Sequence, residues 1–236
     1  MSKRKHQTAL KDFRAKGYVP EAMINFIALL GWSEGEGDKE IYSLQELIAA
    51  FTLEKIHKAG AVFNEEKLRW FNRHYLLQKG EEEFATDVLH IMKTELEERG
   101  VRWDNAIAAA IVPLTLERIS VLEDVRILLR DGEFDYFFSE PALDASKIPD
   151  RKSTKGDTRA HLEFVEKAID AAETFDANSI KGALWDYATE KGRGAVLWPL
   201  RYALSGRDNS PDPFVIASII GKEETMRRVR AAIQLL

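Results

Sequence analysis

The sequence predicts an all-α protein, and two observations lead to this prediction. Apolar residues recur at helical spacing along most of the 236-residue chain, whereas the strict alternation that is typical of strands is nearly absent. Helix-start signals and glycine stops also divide the chain into segments of helical length. Hydrophobic residues make up 45% of the chain, which suffices for the core of one large domain or two modest ones.

Local signals place the helices of the first third. A helix is predicted to begin at Pro20, in the first-turn position that proline tolerates, and to run to about Leu30 before stopping at Gly31. Ser43-Leu44-Gln45-Glu46 has the pattern of a capping box and opens the next helix. Asn64 is predicted to cap a third helix that carries an apolar stripe.

The middle of the chain is predicted as three helices. A long helix covers Glu81–Arg99 and is closed by Gly100. Asp104 opens a short helix, which is expected to end at Pro113 because proline lacks the backbone donor that a helix interior needs. Leu114–Leu129 is predicted to form the third helix.

A linker is predicted over 146–158, which is polar, contains proline and glycine, and lacks an apolar period. Five more helices are predicted after it, at about Arg159–Glu173, Ser179–Lys191, Val196–Leu204, Phe214–Ile220 and Lys222–Leu235.

Composition and motif content exclude several classes of protein. The chain has no cysteine, which excludes disulfides and thiolate metal sites, and no apolar run approaches the ~20 residues of a membrane helix. A cytoplasmic protein with no membrane partner is therefore predicted. Glu54-x-x-His57 and Asp87-x-x-His90 each place a carboxylate and an imidazole one turn apart, but a di-iron bundle needs two Glu-x-x-His pairs. No metal site is predicted, and no P-loop or Ser/His/Asp arrangement is found.

Positive charge gathers at the C-terminal end of an acidic chain. Between Lys191 and Leu236 there are eight Lys/Arg against four Asp/Glu, a local net charge of +4, whereas the whole chain carries −5. A local basic face on an acidic protein predicts a polyanionic partner that is held at one surface.

The same region contains spaced motifs: Trp-Pro-Leu-Arg at 198–201, Ser-Gly-Arg at 205–207, Ser-Pro at 210–211 and Gly-Lys-Glu at 221–223. Their order and spacing resemble the C-terminal end of bacterial-type glutamyl-tRNA synthetases. The N-terminus is similar to the same family, since Met1-Ser2-Lys3-Arg4 resembles the end of the lysine-loop signature of class I synthetases. Gly-Tyr-x-Pro-Glu-Ala at 17–22 and Lys-Leu-x-Trp-x-Asn at 67–72 continue in register, whereas 81–158 match more loosely.

The resemblance implies a helical stem-contact region over 1–78, followed by two helical anticodon-binding subdomains over 79–150 and 151–236. It implies tRNA recognition as the C-terminal part of a glutamate–tRNA ligase, which attaches glutamate to tRNA with ATP. No glycine-rich ATP-binding segment or His-Ile-Gly-His type signature is found in this sequence. The chain alone is therefore predicted to be inactive and to bind no cofactor, and ATP and Mg²⁺ are assigned to the intact enzyme.

The resemblance also implies functional residues. Lys3, in the lysine loop, would stabilise charge on the ATP phosphates, the alternative being a frayed basic terminus. Arg201 matches an arginine that contacts the anticodon loop, and the alternative is an ion pair between subdomains. Arg118 matches an arginine placed on the third anticodon base in enzymes that accept C and reject G there. The alternative for Arg118 is a polar position on a helix.

Four further positions belong to the predicted tRNA interface. Arg207 and Lys222 are candidate phosphate ligands, with solvated side chains as the alternative, and Ser210 and Pro211 match a loop that lines the anticodon pocket. Pro213 stands where the family often has leucine, which weakens the case for a base-stacking contact there.

Two tryptophans and three arginines have alternative interpretations. Trp70 and Trp198 could stack on bases, but core packing is favoured because each lies within an apolar helical pattern. Arg227, Arg228 and Arg230 could follow the phosphate backbone, and a solvated helical face is the alternative.

A monomer that binds tRNA for glutamate is predicted, and tRNA for glutamine stays an open option. The rival function is a helical protein-interaction module that inherited the synthetase scaffold. Salt dependence separates the two functions, because phosphate contacts release counterions on binding and a hydrophobic protein interface does not.

Overall fold

The computed structural model describes residues 9–35, 39–57, 62–79 and 81–236. Within these residues the chain forms α-helices and one 3₁₀ turn at Leu53–Lys55, and the only pairing of extended residues there is an isolated bridge between Trp32 and Ile56. The all-α prediction is confirmed.

The helices are short to medium in length and follow one another closely. Their bounds are α1 Leu10–Ala15, α2 Pro20–Gly31, α3 Leu44–Ala50, α4 Glu65–Lys79, α5 Glu81–Glu98, α6 Asn105–Leu116, α7 Glu123–Arg130, α8 Asp135–Phe138, α9 Lys155–Asp170, α10 Ala177–Lys191, α11 Arg193–Ser205, α12 Pro213–Ile220 and α13 Lys222–Leu235.

The chain packs into two units. Unit 1 comprises Met1–Leu96 and Ile111–Asp131, and unit 2 comprises Glu97–Ala110 and Gly132–Leu236. The division into a stem-contact region and two anticodon-binding subdomains rests on the family resemblance and stays a prediction.

Unit 1 is built around the packing of α2 on α4. The side chains of Phe26 and Phe71 are buried, with ring centroids 6.1 Å apart, and Trp32 is buried against Tyr42. The predicted helix starts are confirmed. Pro20 occupies the first turn of α2, Ser43 and Glu46 form the capping box of α3, and the Asn64 side chain accepts from the Lys67 backbone N–H.

Unit 2 is organised around α11, which packs against α8, α9, α10, α12 and α13. Its buried residues Val196, Leu200 and Leu204 face this core. Gly206 ends α11 in the left-handed conformation with φ of 64°. A Cβ atom at Gly206 would lie 2.8 Å from the Ala142 carbonyl oxygen, so both the backbone conformation and the lack of space require glycine.

Two sequence predictions for the middle of the chain are wrong in detail. The helix that was expected to end at Pro113 continues through it to Leu116, and Ile111, Val112 and Leu116 are buried. The predicted helix over Leu114–Leu129 is interrupted by a turn at 117–122. Burial of α6 offsets the backbone hydrogen bond that the proline removes.

The predicted linker is shorter and better packed than expected. Residues 146–154 are irregular, but α9 already begins at Lys155, where the Thr154 side chain accepts from the Asp157 N–H. Ile148 within this segment is fully buried. The segment is therefore an integral part of unit 2.

Candidate nucleic-acid interface

The end of α11 and the following loop bring three of the predicted residues together around Ser205. The Ser205 hydroxyl donates to the Arg201 carbonyl at 2.8 Å and accepts from the Arg207 N–H at 3.2 Å. It also lies 3.2 Å from the Ser210 hydroxyl. Sequence reasoning missed Ser205 as an organising residue, although the Ser-Gly-Arg motif contains it.

Arg201 is held in a defined orientation at the surface of α11. Its guanidinium carbon lies 4.9 Å from the centroid of the Trp198 ring, and Nη2 donates to the Asp208 carbonyl at 3.1 Å. Trp198 is itself anchored, because its indole N–H donates to the Lys147 carbonyl at 3.0 Å. The indole and the guanidinium thus form a flat, half-buried surface with unused N–H donors, which suits an exposed base or a phosphate.

Arg207 and Lys222 also bind within unit 2. Arg207 Nη1 donates to the Gly132 carbonyl at 3.0 Å and lies 3.2 Å from Glu133 Oε1. The Lys222 ammonium donates to the Asp170 carbonyl at 2.7 Å and to the Ala172 carbonyl at 3.2 Å, at the C-terminal end of α9. A cation at a helix C-terminus complements the helix dipole. A phosphate ligand would have to compete with these contacts.

Ser210 and Pro211 lie half-buried in the loop between α11 and α12. The next residues start α12, where the Asp212 side chain accepts from the Phe214 N–H at 2.8 Å and Pro213 is buried in the first turn. Pro213 therefore has a local structural role at the position where the family often has leucine.

The three arginines of α13 differ in burial, because Arg228 is buried whereas Arg227 and Arg230 are exposed, so the solvated-face alternative is wrong for Arg228 alone. Arg228 is 3% exposed, and its guanidinium donates to Glu224 and to the backbone carbonyls of Tyr136, Ser139 and Leu204. Arg227 pairs with Glu224 and Glu140, and Arg230 pairs with Glu166. Carboxylates from distant parts of unit 2 thus neutralise much of the local positive charge.

These contacts strongly affect the titration of Glu224. Its carboxylate receives hydrogen bonds from Arg227 and Arg228, which hold the pKa of Glu224 at about 2. Burial lowers the pKa of Arg228, although Glu224 opposes this effect. An arginine has an ordinary pKa above 12, and the pair is therefore ionic at neutral pH.

Arg118 lies in unit 1, in the turn between α6 and α7, and its side chain is exposed. The alternative prediction, a polar position on a helix, is wrong because the helix has ended at Leu116. The turn is tightly held by α4. Arg73 donates to the Ile119 and Glu117 carbonyls, and the buried Asn72 side chain donates to the Ser120 carbonyl at 2.5 Å.

Two more contacts fix the same turn from its C-terminal side. The Asp124 carboxylate accepts from the Ser120 N–H at 2.8 Å and from the Val121 N–H at 3.1 Å. Arg69 Nη2 donates to the same carboxylate oxygen at 2.7 Å. The backbone that carries Arg118 is therefore ordered by side chains, and this explains how an exposed residue can be presented in a defined position.

Lys3 lies outside the described residues. Trp70 is 46% exposed, so the prediction that it packs in the core is wrong.

Among residues 9–35, 39–57, 62–79 and 81–236, no three His, Asp or Glu side chains form a group that could hold a metal ion. In the same part of the chain, none of the helices is both long and apolar enough to cross a membrane.

Comparison with known families gives these residues a context. Residues 83–233 match the family described as "Anticodon binding domain". The chain belongs to this family. Residues 1–70 match the family described as "tRNA synthetases class I (E and Q), catalytic domain". The resemblance to glutamyl-tRNA synthetases is thereby confirmed.

Individual relatives agree with this assignment. The glutamate–tRNA ligase of Chloroherpeton thalassium is 36% identical over 246 residues, which cover 100% of this chain and 48% of the relative. The ligase of Flavobacterium johnsoniae is 37% identical over 226 residues, which cover 95% of this chain and 43% of the relative. A solved glutamate tRNA ligase from Elizabethkingia meningosepticum is 38% identical with a TM-score of 0.71, covering 94% of this chain and 42% of that one.

The chain therefore spans about half the length of the curated relatives it matches. Both candidate surfaces of this anticodon-binding-domain protein, Arg118 in unit 1 and Arg201 in unit 2, lie within the residues that match the anticodon-binding family.

Proposed function

We propose that this chain recognises the anticodon region of tRNA as part of a glutamate–tRNA ligase. The observation that carries the proposal is the match of residues 83–233 to the anticodon-binding family, because this range contains Arg118, Arg201 and the loop that follows α11. Anticodon nucleotides are unpaired, so proteins can stack on their bases and bond their edges.

Each residue has a role that its setting supports. Arg201, stacked on Trp198, would bond a base edge or a phosphate with the N–H groups that Asp208 does not use. Arg118 would contact the third anticodon base from its ordered turn and favour C over G. Ser210 and Pro211 would line the pocket, and Arg207 and Lys222 would contact phosphates by exchanging part of their internal contacts.

In the intact ligase, ATP and glutamate form an adenylate, from which glutamate is transferred to the 3′ end of the tRNA. Lys3 would serve the ATP phosphates there. The contribution of this chain is binding and positioning of the tRNA. We further propose that it acts as a monomer in the cytoplasm, on tRNA for glutamate, with tRNA for glutamine as an open option.

The test is a salt-titrated binding assay with tRNA transcripts for glutamate that carry C or G at the third anticodon position. We expect affinity to fall steeply with salt, because phosphate contacts release counterions, and the C transcript to bind better. Arg118→Gln should remove the preference for C, and Arg201→Ala should weaken binding to both transcripts by about 1–3 kcal/mol.

Two results would contradict the proposal in different ways. Equal binding of both transcripts, unchanged in Arg118→Gln, would remove the specificity role of Arg118 but keep tRNA as the partner. Absence of salt-sensitive binding would favour the protein-interaction alternative. Unit 1 has a feature that fits this alternative, since Ile48, Leu53 and Val62 are each more than 70% exposed.

A further inference from the structure

A second aromatic and cationic cluster lies at the junction of α10 and α11. Lys181 and Trp185 are one turn apart on α10, and the Lys181 ammonium lies 4.7 Å from the centroid of the Trp185 ring. Gly192, with φ of 101°, joins the two helices and lets the chain turn directly into α11. Arg193, the first residue of α11, places its guanidinium carbon 4.3 Å from the same centroid.

The partners of the neighbouring cations set this cluster apart. Five of the eight Lys/Arg between 191 and 236 pair with a carboxylate, and Lys222 binds backbone carbonyls. The remaining two, Arg193 and Arg201, each lie on an indole ring. Among the described residues, neither Arg193 nor Lys181 is within ion-pair distance of a carboxylate, so both keep their full charge available to an anion.

An indole with two unpaired cations has the chemistry that binds single-stranded nucleic acid. Bases stack on aromatic side chains without regard to sequence, and lysine and arginine bind the adjoining phosphates. A single cation on a surface ring is common in proteins. Two cations on one half-buried ring form a site for a nucleotide, whose base can stack on the ring and whose phosphate can bind the cations.

The cluster also continues the candidate interface along α11. Arg193 and Arg201 are eight residues apart on this helix, which corresponds to about 12 Å along its axis. We propose that Lys181, Trp185 and Arg193 form a second RNA contact, which binds an unpaired nucleotide of the same tRNA. Its base stacks on Trp185 after displacing one cation from the ring, and both cations then bind its phosphates. This inference rests on the proposed function.

The experiment uses the full chain and a tRNA transcript for glutamate with C as the third anticodon base. The Lys181→Ala/Arg193→Ala variant is compared with Lys152→Ala/Lys167→Ala, which removes the same charge from two exposed lysines of unit 2. We expect the first pair to weaken binding at least ten-fold at about 0.1 M salt and to reduce the salt slope by about 1 to 2. The control pair should weaken binding less than three-fold.

Trp185→Leu tests the stacking part of the proposal. Loss of one base stack should weaken binding about five-fold or more at every salt concentration, because stacking does not depend on counterion release. Trp185→Phe should restore most of the affinity. Thermal unfolding of each variant shows whether unit 2 remains folded.

Different results overturn different claims. If Lys181→Ala/Arg193→Ala matches its control pair, or if Trp185→Leu binds like the wild type, the second contact does not exist. If Arg201→Ala weakens binding in the same series while these variants do not, the proposed function stands and only this inference fails. If the wild-type chain does not bind the transcript in a salt-dependent way, both fail.

Discussion

Arg73 should control both the stability of the Arg118 turn and the specificity that we propose for it. The perturbation is Arg73→Ala on α4. The arginine donates to the Ile119 carbonyl at 2.8 Å and to the Glu117 carbonyl, so its guanidinium bridges the residues on either side of Arg118. Alanine keeps the helix intact because it is the best helix former, and the change therefore acts on the turn.

The expected cost follows from these two contacts. A hydrogen bond to a charged group contributes about 1.5–3 kcal/mol net when it is shielded from water. Arg73 is half-buried, and Ile119 is 1% exposed, so its contact should contribute within this range. Glu117 is exposed, and water can replace the arginine at its carbonyl. We therefore expect Arg73→Ala to lower the free energy of unfolding of unit 1 by about 2 kcal/mol.

Two measurements test this prediction. Urea unfolding gives the change in stability, and hydrogen exchange reports on the Arg118 N–H, which donates to the Thr115 carbonyl at 3.0 Å. We expect faster exchange at Arg118 and a smaller preference for C over G at the third anticodon base, because the turn samples more conformations. Arg73→Lys should keep part of the protection of the Arg118 N–H and part of the C preference, since an ammonium can reach one carbonyl but lacks the planar fork.

The control is Arg14→Ala, which removes an exposed arginine from α1 in the same unit. A loss of less than 0.5 kcal/mol in Arg73→Ala, with unchanged exchange at Arg118, would show that Arg73 does not hold the turn. A clear loss of stability with an unchanged C preference would show instead that base selection does not depend on the order of the turn.

Two further predictions concern α13 in unit 2. Arg228→Met should lower the free energy of unfolding of this unit by about 3–5 kcal/mol, because Glu224 and three backbone carbonyls lose a buried partner. Arg227→Ala, at an exposed position, should cost less than about 1 kcal/mol. An equal cost for both variants would contradict this account. The pKa of Glu224 is lowered to about 2, so its contribution is complete above the ordinary value of 4.5 and is lost as the pH falls towards 2. Acid unfolding should therefore be less steep between pH 4.5 and 2 in Glu224→Gln than in the wild type, and identical curves would remove Glu224 as a source of the pH dependence.

Much of the fold could be predicted because its signals are local. The start of α2 at Pro20 and the capping box of Ser43 and Glu46 depend on residues within four positions, and the structure has both. Pro113 shows the limit of this reasoning. Proline disfavours a helix interior locally, but α6 buries Ile111 and Leu116, and this tertiary packing outweighs the local preference.

In the candidate site, features formed by neighbouring residues could be predicted, whereas features formed by distant residues could not. The motifs around Arg201 were read from the sequence, because residues 198–211 form one continuous piece of α11 and its loop. The turn of Arg118 was not predicted, since Asn72 and Arg73, which bind its carbonyls, lie on α4, 44 to 48 residues earlier in the chain. The cluster around Trp185 was also missed, because Lys181 and Arg193 meet at one ring only when α10 and α11 pack together.

The sequence alone determined the helical class, most helix starts and the family, because periodicity, caps and ordered motifs are properties of neighbouring residues. Only the tertiary structure decided which cations remain available to a polyanion. Arg227, Arg228 and Arg230 have the same charge as Arg193 and Arg201, but their partners include residues 64 to 92 positions away along the chain. Charge is local to a residue, whereas its neutralisation depends on which carboxylates and carbonyls the fold places beside it.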